Sequence, residues 1–180
     1  MSDTSGPLGP GAEAARIVGV LAAHQVEFVV CGGAACILQG LHSRVTADID
    51  LLVHLTNENL KRFVQAAREL RLQPRMPEPL EAIADPQRRR AWIEQKQAVV
   101  STYTSPALMF QVDVFLAYPI SYDDLAANAD KMRFGNVEFL VSSKADLIRA
   151  KQQVRPERTI DQRDIADLQG ILERERQAKS

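Results

Sequence analysis

Two carboxylates, Asp48 and Asp50, stand two residues apart in an otherwise apolar stretch of the sequence. In a β-strand, side chains at positions i and i+2 point to the same face, so these two would lie side by side while Ile49 and Leu51 point into a core. Neighbouring like charges repel, and each raises the pKa of the other. A divalent cation offsets that repulsion, and Mg²⁺ prefers carboxylate oxygens together with nucleotide phosphates. The pair therefore indicates a metal–nucleotide site.

A third carboxylate, Asp113, interrupts the apolar segment 110–116. Val112 and Val114 flank it at period 2, so we expect the valines to be buried on one face of a strand and Asp113 to project from the other. A metal–nucleotide site usually needs a third carboxylate, and Asp113 can approach the first two if the two strands are neighbours. The alternative is an aspartate on an exposed sheet face, or a partly buried one that is paired with an arginine.

Gly32 and Gly33 follow one predicted strand and precede a predicted helix. Without a Cβ the backbone can approach a phosphate closely, and the N–H groups at a helix start point at an anion. The same turn is also common as plain architecture. It supports a nucleotide site here because the carboxylate pair follows on the next predicted strand.

Two cations are candidates for contact with a nucleotide. Lys151 shares a helix face with Leu147 and Ile148, so it either extends to solvent or reaches an anion. Arg44 precedes the carboxylate pair by four residues, and it could contact phosphate, pair with a site carboxylate, or form an ion pair that orders the loop. Asp164 and Asp167, three apart on one predicted helix, are more simply explained as ion-paired structural residues.

The basic segment 88–90 consists of three consecutive arginines after a proline-rich stretch. A run of like charge is usually a solvated helix face. The alternative is a contact for the phosphates of an RNA acceptor, because arginine and lysine supply most of the affinity for nucleic-acid backbones. The sequence leaves both interpretations open.

Composition limits the class of protein. The chain has 180 residues and a net charge of −1, which suits one domain and provides no global field for nucleic acid. Cys31 and Cys36 form neither a CxxC motif nor a zinc-binding pattern, so we expect a reducing, cytoplasmic compartment. The N-terminus lacks the apolar core of a signal peptide, and no apolar run approaches the ~20 residues that span a membrane.

Hydrophobic periodicity and turn residues predict a mixed order of helices and strands in a single domain over residues 12–180, with a disordered lead-in at 1–11 and a helical C-terminal part at 142–177. The predicted fold class is α/β (α+β). Helices are expected over 12–24, 34–39, 56–70, 88–95, 123–128, 142–153 and 157–177. Strands are expected over 27–31, 49–54, 99–104, 108–115 and on both sides of a Gly-Asn turn at 135–136. Segment 73–86 is expected to be irregular, with one helical turn at 80–84.

This arrangement resembles the nucleotidyltransferase superfamily of the DNA-polymerase-β type. The resemblance rests on a strand–Gly32-Gly33–helix unit, then Arg44-x-Thr46-x-Asp48-x-Asp50 on a strand, then an isolated aspartate in an apolar strand. The branch that it resembles most is the AbiEii-like group, which includes toxins of toxin–antitoxin pairs. The helical segments 143–151 and 163–168 match the K-x-D-L and K/R-D-x-x-D-L helices of that branch. Asp161 departs from it, since many members have an arginine there.

The resemblance implies a mixed β-sheet flanked by helices, with further helices at the C-terminus. It implies Mg²⁺-dependent (or Mn²⁺-dependent) transfer of a nucleoside monophosphate from an NTP to an acceptor, which could be RNA such as tRNA, a protein or a small-molecule hydroxyl. An antitoxin protein is a possible further partner. Asp48, Asp50 and Asp113 would form the catalytic and metal site, and the nucleotide contacts would come from Gly32, Gly33, Arg44, Thr46 and Lys151. The alternative is a catalytically inactive nucleotide- or partner-binding module with the same fold.

Overall fold

A seven-stranded mixed sheet forms the centre of the protein in a computed structural model that describes residues 10–179. The strands are β1 (Phe28–Cys31), β2 (Asp48–Val53), β3 (Gln73–Pro74), β4 (Val100–Thr104), β5 (Gln111–Phe115), β6 (Asp130–Phe134) and β7 (Val137–Val141). The helices are α1 (Pro10–Ala23), α2 (Gly32–Leu38), α3 (Asn57–Glu69), α4 (Pro86–Lys96), α5 (Tyr122–Asn128), α6 (Lys144–Lys151) and α7 (Thr159–Gln177), with a 3₁₀ helix at Leu80–Ala84.

The strand order is β3-β4-β5-β2-β1-β7-β6. Strand β2 therefore lies between β1, with which it pairs antiparallel, and β5, with which it pairs parallel. Strands β1 and β7 form the other parallel pair, and the remaining neighbours are antiparallel. The order places both predicted aspartate-bearing strands at the centre of the sheet, next to each other.

The two faces of the sheet are covered differently. Ile49, Leu51 and Val112 belong to a large core that also contains side chains of α1, α3 and α4. On the other face, Leu52 packs in a smaller cluster with Leu125 of α5. Alternation along β2 and β5 puts the aspartates on this second face, where they are only partly buried.

Capping residues define several helix starts. Thr56 accepts a hydrogen bond from the Asn59 N–H at the start of α3, and Ser143 does the same with Asp146 at α6. Asp85 caps α4, in which Pro86 takes a position that needs no N–H donor. These capping residues agree with the predicted helix starts, and along most of the chain the sequence correctly predicts whether a segment is a helix or a strand.

The mixed α/β fold class is confirmed, and the differences are local. Residues 1–9 of the predicted lead-in lie outside the described residues, while Pro10 and Gly11 already belong to α1. The segment that we expected to be irregular contributes the short edge strand β3, in which Gln73 pairs with Thr104. Pro74 is tolerated there because an edge strand can lack a donor. Among residues 10–179, no helix combines the length and apolarity needed to cross a bilayer.

Candidate active site

Strand pairing brings the three predicted carboxylates together. Asp48 and Asp50 lie on β2, Asp113 lies on β5, and Asp50 and Asp113 are register partners across the parallel pair. One carboxylate oxygen from each residue lies within 4.8 Å of those of the other two. The condition set by the sequence, that the two strands be neighbours, is met.

The cluster is electrostatically unfavourable without a cation. The pKa of Asp50 is raised to about 6, chiefly by burial and further by the charges of Asp48 and Asp113, while the hydrogen bond from the Gly33 N–H opposes the rise. Burial also raises the pKa of Asp113, and the charge of Asp48 adds to this while the Thr102 hydroxyl opposes it. The buried Oδ1 atom of Asp113 has no hydrogen-bond partner among the described residues. A carboxylate oxygen in that situation is suited to accept a proton or a metal ion.

The two glycines allow the backbone to approach this cluster. Gly32 adopts a positive φ of 55°, and a Cβ built there would lie 2.0 Å from Oδ2 of Asp50. The Gly33 N–H donates to the same Oδ2 at 3.0 Å. A Cβ on Gly33 would lie 2.3 Å from Nη1 of Arg44. The glycine turn therefore positions Asp50. The sequence-based interpretation, in which the two glycines approach a phosphate, did not include this contact.

Thr46 holds the other member of the pair. Its hydroxyl donates to Oδ1 of Asp48 at 2.5 Å, two residues along the chain. The threonine side chain also lines the pocket that contains the aspartates. It thus orients a carboxylate directly, besides the nucleotide contact implied by the resemblance.

Lys151 and Arg44 both reach the pocket wall, where each is paired with a carboxylate of α7. The Nζ atom of Lys151 lies 2.9 Å from Asp161 and 2.8 Å from Asp164, and the residue is 9% exposed. Arg44 Nε donates to both oxygens of Asp164, at 3.0 and 3.2 Å. Arg44 thus forms an ion pair with Asp164, and Lys151 is buried against two carboxylates and does not extend to solvent. A phosphate contact from either residue would be shared with these carboxylates.

Asp161 and Arg158 are site residues that the sequence reasoning missed. Arg158 Nε donates to Oδ2 of Asp161 at 2.6 Å. Burial would raise the pKa of Asp161, but the hydrogen bonds from Arg158 and Lys151 outweigh it and lower that pKa. The available signal was spacing: Asp161, Asp164 and Leu168 are three and four apart and form one buried helix face, while Asp167 is exposed.

These residues surround an open pocket of about 580 Å³. Asp48, Asp50 and Asp113 form one side of it, and Arg44, Lys151 and Arg158 lie among its other lining residues. The pocket thus presents oxygen ligands for a metal beside cations that could contact an anion. That combination is suited to a polyphosphate bound through a divalent cation.

The basic segment 88–90 lies on α4 and not among the residues that line this pocket. Arg88 pairs with Glu78 at 2.5 Å, and Arg89 donates to the backbone carbonyls of Ile83 and Leu55. Arg88 and Arg90 are exposed, as a solvated helix face requires, whereas Arg89 is half-buried and stabilises neighbouring turns.

No protein-family model matches the chain, and no curated protein matches it in sequence. Its fold is similar to solved structures. One is the crystal structure of an antigenic nucleotidyltransferase-like protein from Paracoccidioides brasiliensis, with 20% identity, a TM-score of 0.53 and coverage of 91% of this chain and 78% of that one. Another is the solution structure of the antibiotic-resistance factor ANT(2'')-Ia, with 14% identity, a TM-score of 0.56 and coverage of 89% and 83%. The chain therefore has a nucleotidyltransferase-like fold.

Proposed function

We propose that this protein transfers a nucleoside monophosphate from an NTP to an acceptor hydroxyl. The observation that carries the proposal is the convergence of Asp48, Asp50 and Asp113 within 4.8 Å on two central strands. The nucleotidyltransferase-like fold supports it, because both structural neighbours align with most of this chain and one is named as a nucleotidyltransferase-like protein.

The residues present fit a divalent metal. Three carboxylates crowd together, and one buried oxygen of Asp113 lacks a hydrogen-bond partner among residues 10–179. Carboxylate oxygens are the donors that Mg²⁺ and Mn²⁺ accept, so Asp48, Asp50 and Asp113 would hold the ion or ions. When bound, such a metal neutralises charge on the triphosphate and on the leaving pyrophosphate.

The chain's own groups account for positioning and proton transfer. The acceptor oxygen would form a bond to the α-phosphorus while the bond from that phosphorus to pyrophosphate breaks. Asp113 would take the acceptor's proton, because its buried Oδ1 atom has no hydrogen-bond partner among the described residues. Thr46 and the Gly33 N–H would keep Asp48 and Asp50 in place. Arg44 and Lys151, oriented by Asp164, would contact the triphosphate.

The finer assignments come from the resemblance to the AbiEii-like branch. It adds the proposal that the protein is a toxin whose activity is neutralised by an antitoxin protein. It also leaves three classes of acceptor: RNA such as tRNA, a protein, or a small-molecule hydroxyl. Asp161 lies in the first turn of the helix at which this chain departs from the branch, and Arg158 immediately precedes that helix, so contacts there would be particular to this protein.

The test is incubation with each α-labelled NTP, Mg²⁺ and a whole-cell extract, with pyrophosphate release measured in parallel. The wild-type protein should label one class of acceptor and release pyrophosphate, and Asp50→Asn should do neither. Absence of both signals above the Asp50→Asn background would reject the enzyme. Calorimetry with NTP and Mg²⁺ then separates the remaining options, since tight binding without product identifies an inactive nucleotide-binding module.

A further inference from the structure

Four large apolar side chains are strongly exposed among the described residues, and each lines either the candidate active site or a groove beside it. Val45 is 84% exposed, Met109 72%, Val99 53% and Ile160 45%. Val45, Val99 and Ile160 line the carboxylate pocket, and Val45 and Met109 line a groove beside it. They belong to four separate segments, so no single local structure explains their concentration. Exposed apolar groups that cluster around a pocket mark a contact surface.

The groove adjoins the carboxylates directly. It has a volume of about 320 Å³, and its lining is mostly apolar: Ile37, Val45, Ala47, Met109 and Phe110, together with Arg44 and Thr46. Ile37 and Phe110 also border a deeper apolar cavity of about 180 Å³. Thr46, which donates to Asp48, lines the groove, the cavity and the carboxylate pocket alike. An acceptor bound at the carboxylates could therefore place an apolar group in the groove.

The charges at the pocket do not favour a polyanion as acceptor. Arg44 is paired with Asp164, Lys151 with Asp161 and Asp164, and Arg158 with Asp161. In the proposed function Arg44 and Lys151 contact the triphosphate, so Arg158, itself paired with Asp161, is the one cation left for an acceptor among the described residues that line the pocket. Binding to an RNA backbone draws its affinity from lysine and arginine that neutralise phosphates. A polypeptide can bind through apolar contacts without a positively charged surface, so it fits the residues around this pocket better than RNA does.

Resting on the proposed function, we propose that the acceptor is a polypeptide segment. Its serine, threonine or tyrosine hydroxyl reaches the carboxylates, and a nearby apolar side chain occupies the groove bordered by Val45 and Met109. The hydroxyl oxygen bonds to the α-phosphorus, pyrophosphate leaves, and the proton passes to Asp113. The product is a phosphodiester between the polypeptide and the nucleoside.

The test uses two peptide libraries of equal length, each with a single hydroxyl residue. One has apolar residues around the hydroxyl and the other has charged residues there, and total RNA and a panel of sugar alcohols are assayed in parallel. With α-labelled NTPs and Mg²⁺, the apolar library should be labelled about tenfold more than the charged library. Labelling of RNA or of the sugar alcohols in place of peptide would overturn the proposal and leave the proposed function intact.

Near-isosteric variants test the groove itself. Val45→Thr and Met109→Gln should lower kcat/KM for the apolar library about tenfold, chiefly through KM. Met109 lines the groove and is not among the residues of the carboxylate pocket, so Met109→Gln should leave the affinity for Mg²⁺ and NTP unchanged. The matched control is Val20→Thr, the same substitution at a half-buried position of α1 outside the pocket and groove. Equal losses in the control, or no loss in the two groove variants, would contradict the assignment.

Failure of the proposed transfer reaction can be distinguished from failure of the proposed polypeptide-binding groove. If no class of acceptor is labelled and the whole-cell extract also yields no product, the proposed function fails. Fluorescence anisotropy of the apolar library carrying a fluorescent dye, measured with Mg²⁺ and NTP present, then shows whether the groove binds polypeptide. Binding that Met109→Gln weakens about tenfold supports a polypeptide-binding groove, and binding that is absent or indifferent to the substitution overturns it.

Discussion

Asp50 and Asp113 face each other as register partners on two adjacent parallel strands, 63 positions apart in the chain. The third carboxylate of the site is therefore held by the hydrogen-bonded ladder of β2 and β5 and not by a loop. Backbone ladders at the centre of a sheet are rigid, so the spacing of the carboxylates should change little when a ligand binds.

The first prediction concerns Asp50 and pH in the absence of metal. Its pKa of about 6 in the folded protein lies above the ordinary 3.8, so the native state binds this proton more readily than the unfolded state. Below about pH 4 Asp50 is protonated in both states and carries no penalty, and the fold loses stability as the pH rises from about 4 through 6, above which the loss levels off. Asp50→Asn should raise the free energy of unfolding by about 1–3 kcal/mol at pH 7.5 and by much less at pH 4.

Urea unfolding at the two pH values, in the presence of a chelator, measures this difference. Asp167→Asn, at an exposed position of α7, is the control and should change stability little at either pH. If Asp50→Asn had the same effect at pH 4 and pH 7.5, the burial of a charged Asp50 would not be a source of instability.

The second prediction concerns metal binding through Asp113. Mg²⁺ that binds only the folded state should stabilise the wild type by about 2.7 kcal/mol at a concentration 100 times its Kd. The melting temperature should then rise by several degrees, and Asp113→Asn should abolish most of that rise because one oxygen ligand is lost. Thermal melts with and without Mg²⁺ give the answer. A full rise in Asp113→Asn would show that the ion binds elsewhere.

The third prediction compares two glycines with the same backbone conformation. Gly32 and Gly135 have φ of 55° and 56°, but a Cβ would strike Asp50 only at Gly32 and would meet nothing within 4 Å at Gly135. Gly135→Ala should cost about 1–2 kcal/mol from backbone strain alone. Gly32→Ala should cost more and should also remove Mg²⁺ binding by displacing the carboxylate.

Melting temperature and Mg²⁺ affinity are both measured for this pair of variants. The difference between them isolates the close approach of the Gly32 backbone to Asp50 from the strain that they share. Equal stability of the two variants, together with intact Mg²⁺ binding in Gly32→Ala, would refute the positioning role of this turn.

The fourth prediction concerns the buried ion pairs behind the pocket. Asp164, with its side chain 5% exposed, compensates both Arg44 and Lys151. Asp164→Ala leaves those cations buried with fewer partners, which should cost about 3–5 kcal/mol. The exposed pair Glu58–Lys61 provides the comparison, since Glu58→Ala should cost less than about 1 kcal/mol. Chemical denaturation of both variants tests this, and equal costs would contradict the structural role of Asp164.

Local sequence determined most of the elements of this protein. Apolar alternation predicted β2 and β5, the caps and turn residues predicted most helix boundaries within a few positions, and the i, i+2 spacing placed Asp48 and Asp50 on one face. These features depend on neighbours along the chain, so composition and period suffice to read them. The metal-site hypothesis needed only that spacing and one further aspartate.

Only the tertiary structure decided how distant segments meet. The adjacency of β2 and β5 brings Asp113 to the pair, and the packing of α7 beside α6 pairs Asp161 and Asp164 with Lys151. It also directs the Gly33 N–H to Asp50. Strand order and long-range ion pairs result from burying whole faces of several elements at once, and no local period encodes which faces will be joined. For that reason the residues could be chosen from the sequence, whereas their partners could not.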